Sequence, residues 1–293
     1  MILCIGEILA DIIGEKSDGN LSLKAFCGGA PFNVAVNAAQ SGAKVGFIGR
    51  VGSDPIGRFL SESAKRAPLD FIEIQTDDHR NTTLAFVTID NGERDFSFFR
   101  NDTADYHLRA EDLSEEKLLP YGIVHLGSLM LSKKEGRAYA KEAVKIIKNA
   151  GKLLSFDLNY RADLFADFLT ARRALSPLVK AADILKFSED EIVAFTDETD
   201  LNKAIDKVKS KNKLILVTLG DKGSICDYNG YREFFSTEKV VPVDTTGAGD
   251  AFFGTVLARL DGKSFTEENI AAAVNAGNAA GAKATQFKGA VKL

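Results

Sequence analysis

Short apolar runs alternate with helical patterns along most of the chain, and this alternation limits the possible folds more than any other feature. Residues 2–5 and 45–48 are typical of buried strands, and helical periodicity follows at 31–41 and from Asp54. Strands that alternate with helices favour right-handed crossovers and a mostly parallel sheet between layers of helices. Because no linker or repeat interrupts the pattern, we predict one α/β domain over residues 1–293. Further strand-like runs occur at residues 123–126, 153–156, 184–186 and 214–218.

One stretch breaks this series with a different periodicity. Residues 82–100 alternate like two strands around Asn91–Gly92, a dipeptide that strongly favours a two-residue hairpin turn. In the second arm, a period of two places Phe96, Phe98 and Arg100 on one face. A hairpin therefore interrupts the α/β alternation.

The segment 11–27 is also strand-like and lacks a helical period. Together with the hairpin at 82–104, it predicts a small antiparallel β-sheet that stands off the main layer as a lid. An ordinary edge hairpin whose phenylalanines complete the core fits the same pattern.

Charge and composition argue against several classes of partner. The net charge is −4, so the chain lacks the excess of Lys and Arg that binds nucleic acid or an anionic membrane. The three cysteines, Cys4, Cys27 and Cys226, are odd in number and widely spaced, which argues against a disulfide framework or a zinc site. The first residues are typical of a buried strand rather than a signal peptide, and no apolar run reaches the about 20 residues of a membrane helix. We therefore predict a soluble, cytoplasmic protein with small-molecule partners.

The strongest functional signal is a glycine-rich turn that opens a helix at residues 243–254. Small residues at Gly247, Ala248 and Gly249 allow backbone N–H groups to approach an anion, and the helix N-terminus adds a partial positive charge. Asp250 falls in the first helical turn, where its carboxylate could accept the proton of an attacking hydroxyl beside a phosphoryl group. The alternative is an acid that only complements the helix dipole.

Two other phosphate-binding motifs fail on spacing. A dinucleotide fingerprint would require its third glycine at Phe252. A P-loop that ends in Gly262–Lys263–Ser264 would require an earlier glycine at Leu257. Neither motif therefore explains the glycine-rich turn.

The chain resembles the PfkB, or ribokinase-like, family of carbohydrate kinases. The resemblance covers essentially the whole chain and rests on residues 28–35, 48–57 and 244–254. It implies a Rossmann-like α/β fold with a β lid, ATP and Mg²⁺ as co-substrates and, in many members, a monovalent cation such as K⁺. It also makes the turn 247–249 an anion hole and Asp250 the general base.

The same resemblance assigns residues to the nucleotide. Thr218, Gly220 and Gly223 match the family's loop over the ATP phosphates, although a simple turn pair would also explain the glycines. Asn278 falls where the family borders the adenine pocket, and an exposed helical asparagine is the alternative. Lys186, just before the metal-associated motif, is also placed on the ATP side.

Metal-binding positions follow from the resemblance as well. The family's Asn-x-x-Glu motif runs from Ser188 to Glu191 in this chain, so that serine replaces asparagine. Glu191 would hold Mg²⁺ through water, and the same spacing also fits a helix capping box. The monovalent cation would take oxygen ligands from Asp244, Thr246, Ala284 and Gly289.

On the sugar side, Asp11 matches an aspartate that accepts hydrogen bonds from sugar hydroxyls in this family. Gly28, Gly29 and Asn33 would form the floor of that site and the lid hinge. The two glycines also suit a tight turn before a helix.

Three further positions would act on the bound sugar. Phe98 and Arg100 would close over it from the lid. Arg161 would approach the sugar or the transferring phosphoryl group, because a planar guanidinium suits phosphate geometry. For either arginine, the alternative is a surface ion pair.

Within the family, the motifs most closely resemble the fructokinase branch. The implied reaction transfers the γ-phosphoryl group of ATP to a primary hydroxyl of fructose. A 2-keto-3-deoxygluconate kinase is the alternative, since Arg100 and Arg161 could bind an acid substrate. A ribokinase or a sugar-binding regulator without turnover is less favoured, and a homodimer through the lid is compatible with the resemblance.

Overall fold

A nine-stranded sheet between helices forms the centre of the protein, which confirms the predicted α/β fold. The computed structural model describes residues 1–17, 20–90 and 93–293. The strands are β1 (Ile2–Ile5), β2 (Leu9–Ser17), β3 (Asn20–Gly28), β4 (Val45–Gly52), β5 (Phe71–Asp77), β6 (Leu84–Asp90), β7 (Glu93–Phe99), β8 (Ile123–Leu126), β9 (Leu153–Asp157), β10 (Ile184–Ser188), β11 (Leu214–Thr218), β12 (Gly223–Tyr228) and β13 (Tyr231–Ser236). The helices are α1 (Ala30–Gln40), α2 (Pro55–Ala64), α3 (Lys134–Asn149), α4 (Phe168–Ala181), α5 (Glu189–Thr196), α6 (Leu201–Val208), α7 (Ala248–Leu260) and α8 (Glu267–Ala284).

The order of the strands predicts where a ligand binds. The central sheet runs β13–β12–β11–β10–β9–β8–β1–β4–β5, with parallel pairing from β5 to β11 and antiparallel pairing at the β12–β13 edge. The chain passes from β1 to β4 on one side and returns later to β8 on the other, so the strand order reverses between β1 and β8. In open α/β sheets, ligands bind at the carboxyl ends of the strands beside such a reversal.

Strand β1 shows why this sheet is buried on both faces. Ile2 and Cys4 belong to the hydrophobic cluster formed with α1, α7 and α8, whereas Leu3 and Ile5 belong to the cluster formed with α3, α4 and α5. Successive side chains of a strand point to opposite faces. A strand covered by helices on both sides is therefore continuously hydrophobic, as the sequence of β1 is.

A second, four-stranded sheet has the order β3–β2–β6–β7 and includes both segments predicted for the lid. The expectation that it is antiparallel was wrong, because β2 and β6 pair in parallel across the middle of the sheet. The predicted turn at Asn91–Gly92 lies outside the described residues, and Asp90 pairs with Glu93 on either side of it. The separate sheet, rather than an edge hairpin of the main sheet, is the arrangement observed.

The last helix has a side-chain cap at its N-terminus. Helix α8 starts at Glu267, because the side chain of Thr266 accepts a hydrogen bond from the amide of Asn269 and caps the helix. Within the described part of the chain, no helix combines the length and the apolar character needed to span a membrane.

Candidate active site

The glycine-rich turn opens α7, as predicted. Gly247 is the N-cap residue with φ of 79°, a left-handed conformation that glycine adopts without strain. A Cβ at this position would lie 2.7 Å from the Cα of Ala290, so the close approach of the C-terminal segment also requires glycine. No described side chain caps α7, whereas Asp54 caps α2 and Asp167 caps α4. The first-turn amides of a helix lack intrahelical partners, so this turn is suited to bind an anion.

Asp250 lies in the first turn of α7, where Nδ2 of Asn33 donates a 2.8 Å hydrogen bond to its Oδ2. Burial raises the pKa of the Asp250 carboxyl, while the Asn33 hydrogen bond and the charges of Lys186 and Arg161 act in the opposite direction. Oδ1 of Asn33 is buried and has no partner among the described residues. The arrangement therefore fixes the orientation of a potential base next to the glycine-rich turn.

Lys186 places a buried ammonium group beside the same turn. Asp157 and Lys186 lie opposite each other on the parallel neighbours β9 and β10, and Nζ donates a 2.7 Å hydrogen bond to Oδ2 of Asp157. Both residues are 5% exposed. A Cβ on Gly249 would lie 3.4 Å from this Nζ, so the ammonium group faces the first turn of α7. Sequence reasoning assigned no role to Asp157, although its place at the carboxyl end of a buried strand was a usable signal.

The predicted metal-associated residue Glu191 is held by two backbone amides. Its Oε2 accepts the N–H of Ser188 at 2.8 Å, and its Oε1 accepts the N–H of Tyr160 at 2.7 Å. Oγ of Ser188 in turn accepts the N–H of Glu191, which confirms the predicted capping box. Arg161 follows in the same loop, with Nη1 bonded to the Tyr160 carbonyl at 2.9 Å, and its charge acts on Asp250.

The predicted sugar-side residues meet where the second sheet joins α1. A Cβ on Gly28 would lie 2.2 Å from Oδ2 of Asp11, so this glycine leaves room for the carboxylate. Gly29 caps α1 with φ of 111°, and its carbonyl accepts the N–H of Asn33 at 2.8 Å. The structure thus brings these residues to the end of α1 from which Asn33 reaches Asp250.

A cavity of about 310 Å³ lies between this part of the second sheet and the C-terminal segment. Asp11 and Cys27 line it on one side, and Asp244, Thr246 and Gly289 line it on the other. Three of the four residues predicted for the monovalent cation therefore border the same cavity as Asp11, which is predicted to bind the sugar.

The predicted cation ligands are organised around the carboxylate of Asp244. Its Oδ1 accepts the N–H of Thr246 at 2.8 Å, and its Oδ2 accepts the N–H of Gly289 at 2.9 Å. The amide of Asp244 donates to the carbonyl of Thr285 at 3.0 Å, next to Ala284 at the end of α8. The four predicted residues are thus neighbours in space.

Arg100 makes contacts that the sequence did not predict. Its guanidinium donates to Oδ2 of Asp105 at 2.6 Å and 2.8 Å and to Oγ of Ser132 at 2.7 Å. The side chains of Arg100 and Asp105 are each 1% exposed, so this is a buried ion pair. Arg100 and Phe98 also line a cavity of about 540 Å³ under the second sheet. Their predicted contact with substrate stays a prediction.

The predicted nucleotide loop joins β11 to β12. Thr218 is the last residue of β11, and Gly220 and Gly223 have φ of 62° and 120°, so both glycines are needed for the turn itself. Asn278 is 7% exposed and not on the surface. Its Oδ1 accepts from Oγ of Ser224 at 2.9 Å, and its Nδ2 donates to the carbonyl of Phe235 at 3.0 Å. Nucleotide contacts of these residues stay predictions.

Glu7 is a second carboxyl that sequence reasoning missed. It follows β1 at the strand reversal and is 1% exposed, and neither carboxyl oxygen has a hydrogen-bond partner in the part of the chain that the structure describes. A Cβ on Gly127, which follows β8, would lie 2.8 Å from Oε2 of Glu7. Burial raises the pKa of Glu7 to about 8.

Solved structures of fructokinases share this fold. The Xylella fastidiosa fructokinase with bound ATP aligns with a TM-score of 0.91 and 30% identity, and the alignment covers 99% of this chain and 93% of that one. The Vibrio cholerae O395 fructokinase with fructose, ADP and calcium ion aligns with a TM-score of 0.88 and 31% identity over 99% and 94% of the two chains. A double mutant of the Vibrio cholerae protein, with fructose, ADP and potassium ion, gives a TM-score of 0.87 and 31% identity over 99% and 93%.

The sequence comparisons agree with the structural ones. A fructokinase from Vibrio alginolyticus is 35% identical over 291 residues, which are 98% of this chain and 93% of that protein. The family model described as pfkB family carbohydrate kinase matches residues 1–292. The predicted resemblance is therefore confirmed, and the chain belongs to the pfkB family of carbohydrate kinases.

Proposed function

We propose that this protein is an ATP-dependent fructokinase that phosphorylates a primary hydroxyl of fructose. The observation that carries the proposal is Asp250 in the first turn of α7, directly after the uncapped glycine turn and oriented by Asn33. The relatives named fructokinase and the neighbours solved with fructose support this acceptor. A 2-keto-3-deoxygluconate kinase is less favoured, because the charge of Arg100 is already compensated by Asp105.

In the proposed reaction, one carboxylate oxygen of Asp250 takes the proton of the sugar hydroxyl as the hydroxyl oxygen attacks the γ-phosphorus of ATP. The bond between the γ-phosphorus and the β–γ bridging oxygen breaks, and ADP leaves with the bonding electrons. The amides at the turn 247–249 stabilise the charge on the phosphoryl oxygens, with Arg161 as a nearby cation. Positioning and electrostatics thus supply most of the catalysis.

The residues near the turn fit the metals that this reaction would use. Each oxygen of Glu191 accepts one amide and keeps a second lone pair, so Glu191 can hold Mg²⁺ through water. Bound Mg²⁺ would neutralise charge on the phosphates. Oxygens around Asp244, Thr246, Ala284 and Gly289 would suit K⁺, a hard cation.

Other predicted roles remain proposals on the same basis. Asp11 with Gly28, Gly29 and Asn33 would bind the sugar, and the second sheet with Phe98 would close over it. Lys186, Thr218, Gly220, Gly223 and Asn278 would lie along the nucleotide. The homodimer through the lid and the cytoplasmic location stay predictions.

The test is ADP release by the purified protein with a panel of acceptors. Fructose should give the highest kcat/KM, ahead of 2-keto-3-deoxygluconate, ribose and adenosine. A preference for another acceptor would overturn the choice of fructose. If sugars bind and none stimulates ADP formation, the protein is a sugar-binding regulator and the proposed function is wrong.

A further inference from the structure

Lys186, proposed above to lie along the nucleotide, is also a buried cation beside the proposed base, and the proton transfer described above gives it no role. Its ammonium group is held by Asp157 at 2.7 Å and faces Gly249, one residue before Asp250. Asp157 uses only one oxygen in this contact, since its Oδ1 is buried and has no partner among the residues described. The ammonium group therefore has a fixed place directly under the first turn of α7.

The groups that act on Asp250 come from several elements. Lys186 on β10 and Arg161 after β9 are positive, and Asn33 on α1 donates a hydrogen bond. The carboxyls of Asp157 on β9 and Glu7 after β1 also interact with Asp250 through their charges. Burial opposes ionisation of Asp250, whereas the hydrogen bond from Asn33 and then the charges of Lys186 and Arg161 favour it.

We propose that Lys186 is a positioning residue for the general base, whose ammonium group, held in place by Asp157, keeps the Asp250 carboxylate ionised and ready to accept a proton. This inference rests on the proposed function. Lys186 need not contact either substrate to act in this way.

The Lys186–Asp157 pair is not explained by fold stability alone. Removing two charges from water costs free energy that their mutual attraction often only offsets, so a buried ion pair is weak evidence for a stabilising role. The two strands that it joins are already paired through the backbone, from Ile184 with Ser155 to Lys186 with Asp157. An effect of the Lys186 charge on the neighbouring carboxylate of Asp250 accounts for the placement of Lys186.

The test is the acid limb of the kcat/KM profile for fructose, which reports the free enzyme's essential base. In Lys186→Met the midpoint of this limb should move upward by about 1 to 3 pH units, the usual effect of a neighbouring opposite charge on a carboxyl pKa. Lys186→Arg keeps the charge, so its acid limb should stay close to that of the wild type.

The matched control is Lys213→Met. It removes another lysine that is 5% exposed and whose ammonium group donates to the backbone carbonyls of Val179 and Lys180. Lys213→Met should leave the limb in place.

A second variant keeps the test decisive if Lys186→Met does not fold. Lys186→Gln removes the charge and keeps a polar end that can donate a hydrogen bond toward Asp157, so its acid limb should also move upward in pH. If Lys186→Met lowers kcat while its acid limb superimposes on that of the wild type, or if Lys186→Gln leaves the limb in place, the inference is wrong.

A titration without substrates separates this inference from the proposed function. The carboxyl ¹³C resonance of Asp250, identified by its loss in Asp250→Asn, should titrate at higher pH in Lys186→Met than in the wild type. If the wild-type protein phosphorylates no sugar, the proposed function is wrong. The titration then still tests the effect of Lys186 on Asp250. An unchanged titration in an active Lys186→Met enzyme would refute only the inference.

Discussion

The side-chain amide of Asn33 donates a 2.8 Å hydrogen bond to the carboxylate of Asp250, although the two residues are 217 positions apart. The contact joins the N-terminal turn of α1 to that of α7, and these two helices pack against each other. Asn33 therefore connects the predicted floor of the sugar site to the predicted base. Substitutions at Asn33 should therefore change the pKa of Asp250 more than they change the stability of the fold.

Replacement of Asn33 by alanine should raise the pKa of Asp250, because the lost hydrogen bond favours the ionised carboxylate. Since the base must be ionised, the acid limb of kcat/KM should move to higher pH, by about one unit for a hydrogen bond to a charged group. Asn37→Ala is the control: Asn37 lies one turn further along α1 and bonds the carbonyl of Asn33 at 2.8 Å. Equal profiles for Asn33→Ala and the wild type would contradict this role of Asn33.

Alanine at Gly247 should impair turnover more than it impairs folding. The substitution places a Cβ 2.7 Å from Ala290 and forces a left-handed conformation, which costs about 1–2 kcal/mol in an L-residue. Gly262→Ala is a matched control, because Gly262 follows the same helix with φ of 72° and a Cβ there would have no described atom within 4 Å. Chemical denaturation should show backbone strain in both variants, with more in Gly247→Ala because of the contact with Ala290. ADP release should show a large loss of kcat only in Gly247→Ala. Equal activity in the two variants would count against an anion site at this turn.

Glu7 should make the stability of the protein depend on pH. Burial raises its pKa from 4.5 to about 8, so the folded protein keeps this proton over a range where the unfolded chain releases it. The resulting contribution to stability is complete below about pH 4.5, falls as pH rises through this window and is lost above about pH 8. Glu7→Gln cannot ionise, so its free energy of unfolding should fall less between pH 5 and pH 8, by up to about 4 kcal/mol at about 1.4 kcal/mol per unit. If the free energies of unfolding of Glu7→Gln and the wild type change with pH in parallel, this prediction is wrong. Glu116→Gln, which replaces an exposed glutamate, serves as the control.

Arg100 should matter for stability. Arg100→Met leaves Asp105 buried without its partner, and removal of one member of a buried pair costs about 3–5 kcal/mol. Lys145→Met, which breaks an exposed pair with Glu142, should change the free energy of unfolding by less than about 1 kcal/mol. Urea denaturation measures both. If Arg100→Met unfolds like the wild type and raises the KM for fructose at least about tenfold, a loss of about 1.4 kcal/mol in binding, Arg100 contacts the sugar instead.

The glycine-rich turn and the acid at the start of α7 were predictable because their signal is local: small residues, then an acid, at the start of one helix. The contact of Asn33 with Asp250 was not, since it depends on how two distant helices pack. The surroundings of Asp157 and Glu7 depend on strand order, which alternation alone does not fix. For the same reason, the parallel pairing of β2 with β6 was missed, whereas the strand and helix types were predicted from periodicity.

The most direct test of the proposed mechanism is turnover by Asp250→Asn. Asparagine preserves the size of the side chain and removes its basicity, so ATP and fructose should bind as in the wild type. The kcat for fructose-dependent ADP formation should fall by about 10² to 10⁴, the usual contribution of a positioned acid–base group. Wild-type turnover in this variant would contradict the role of Asp250 as the base.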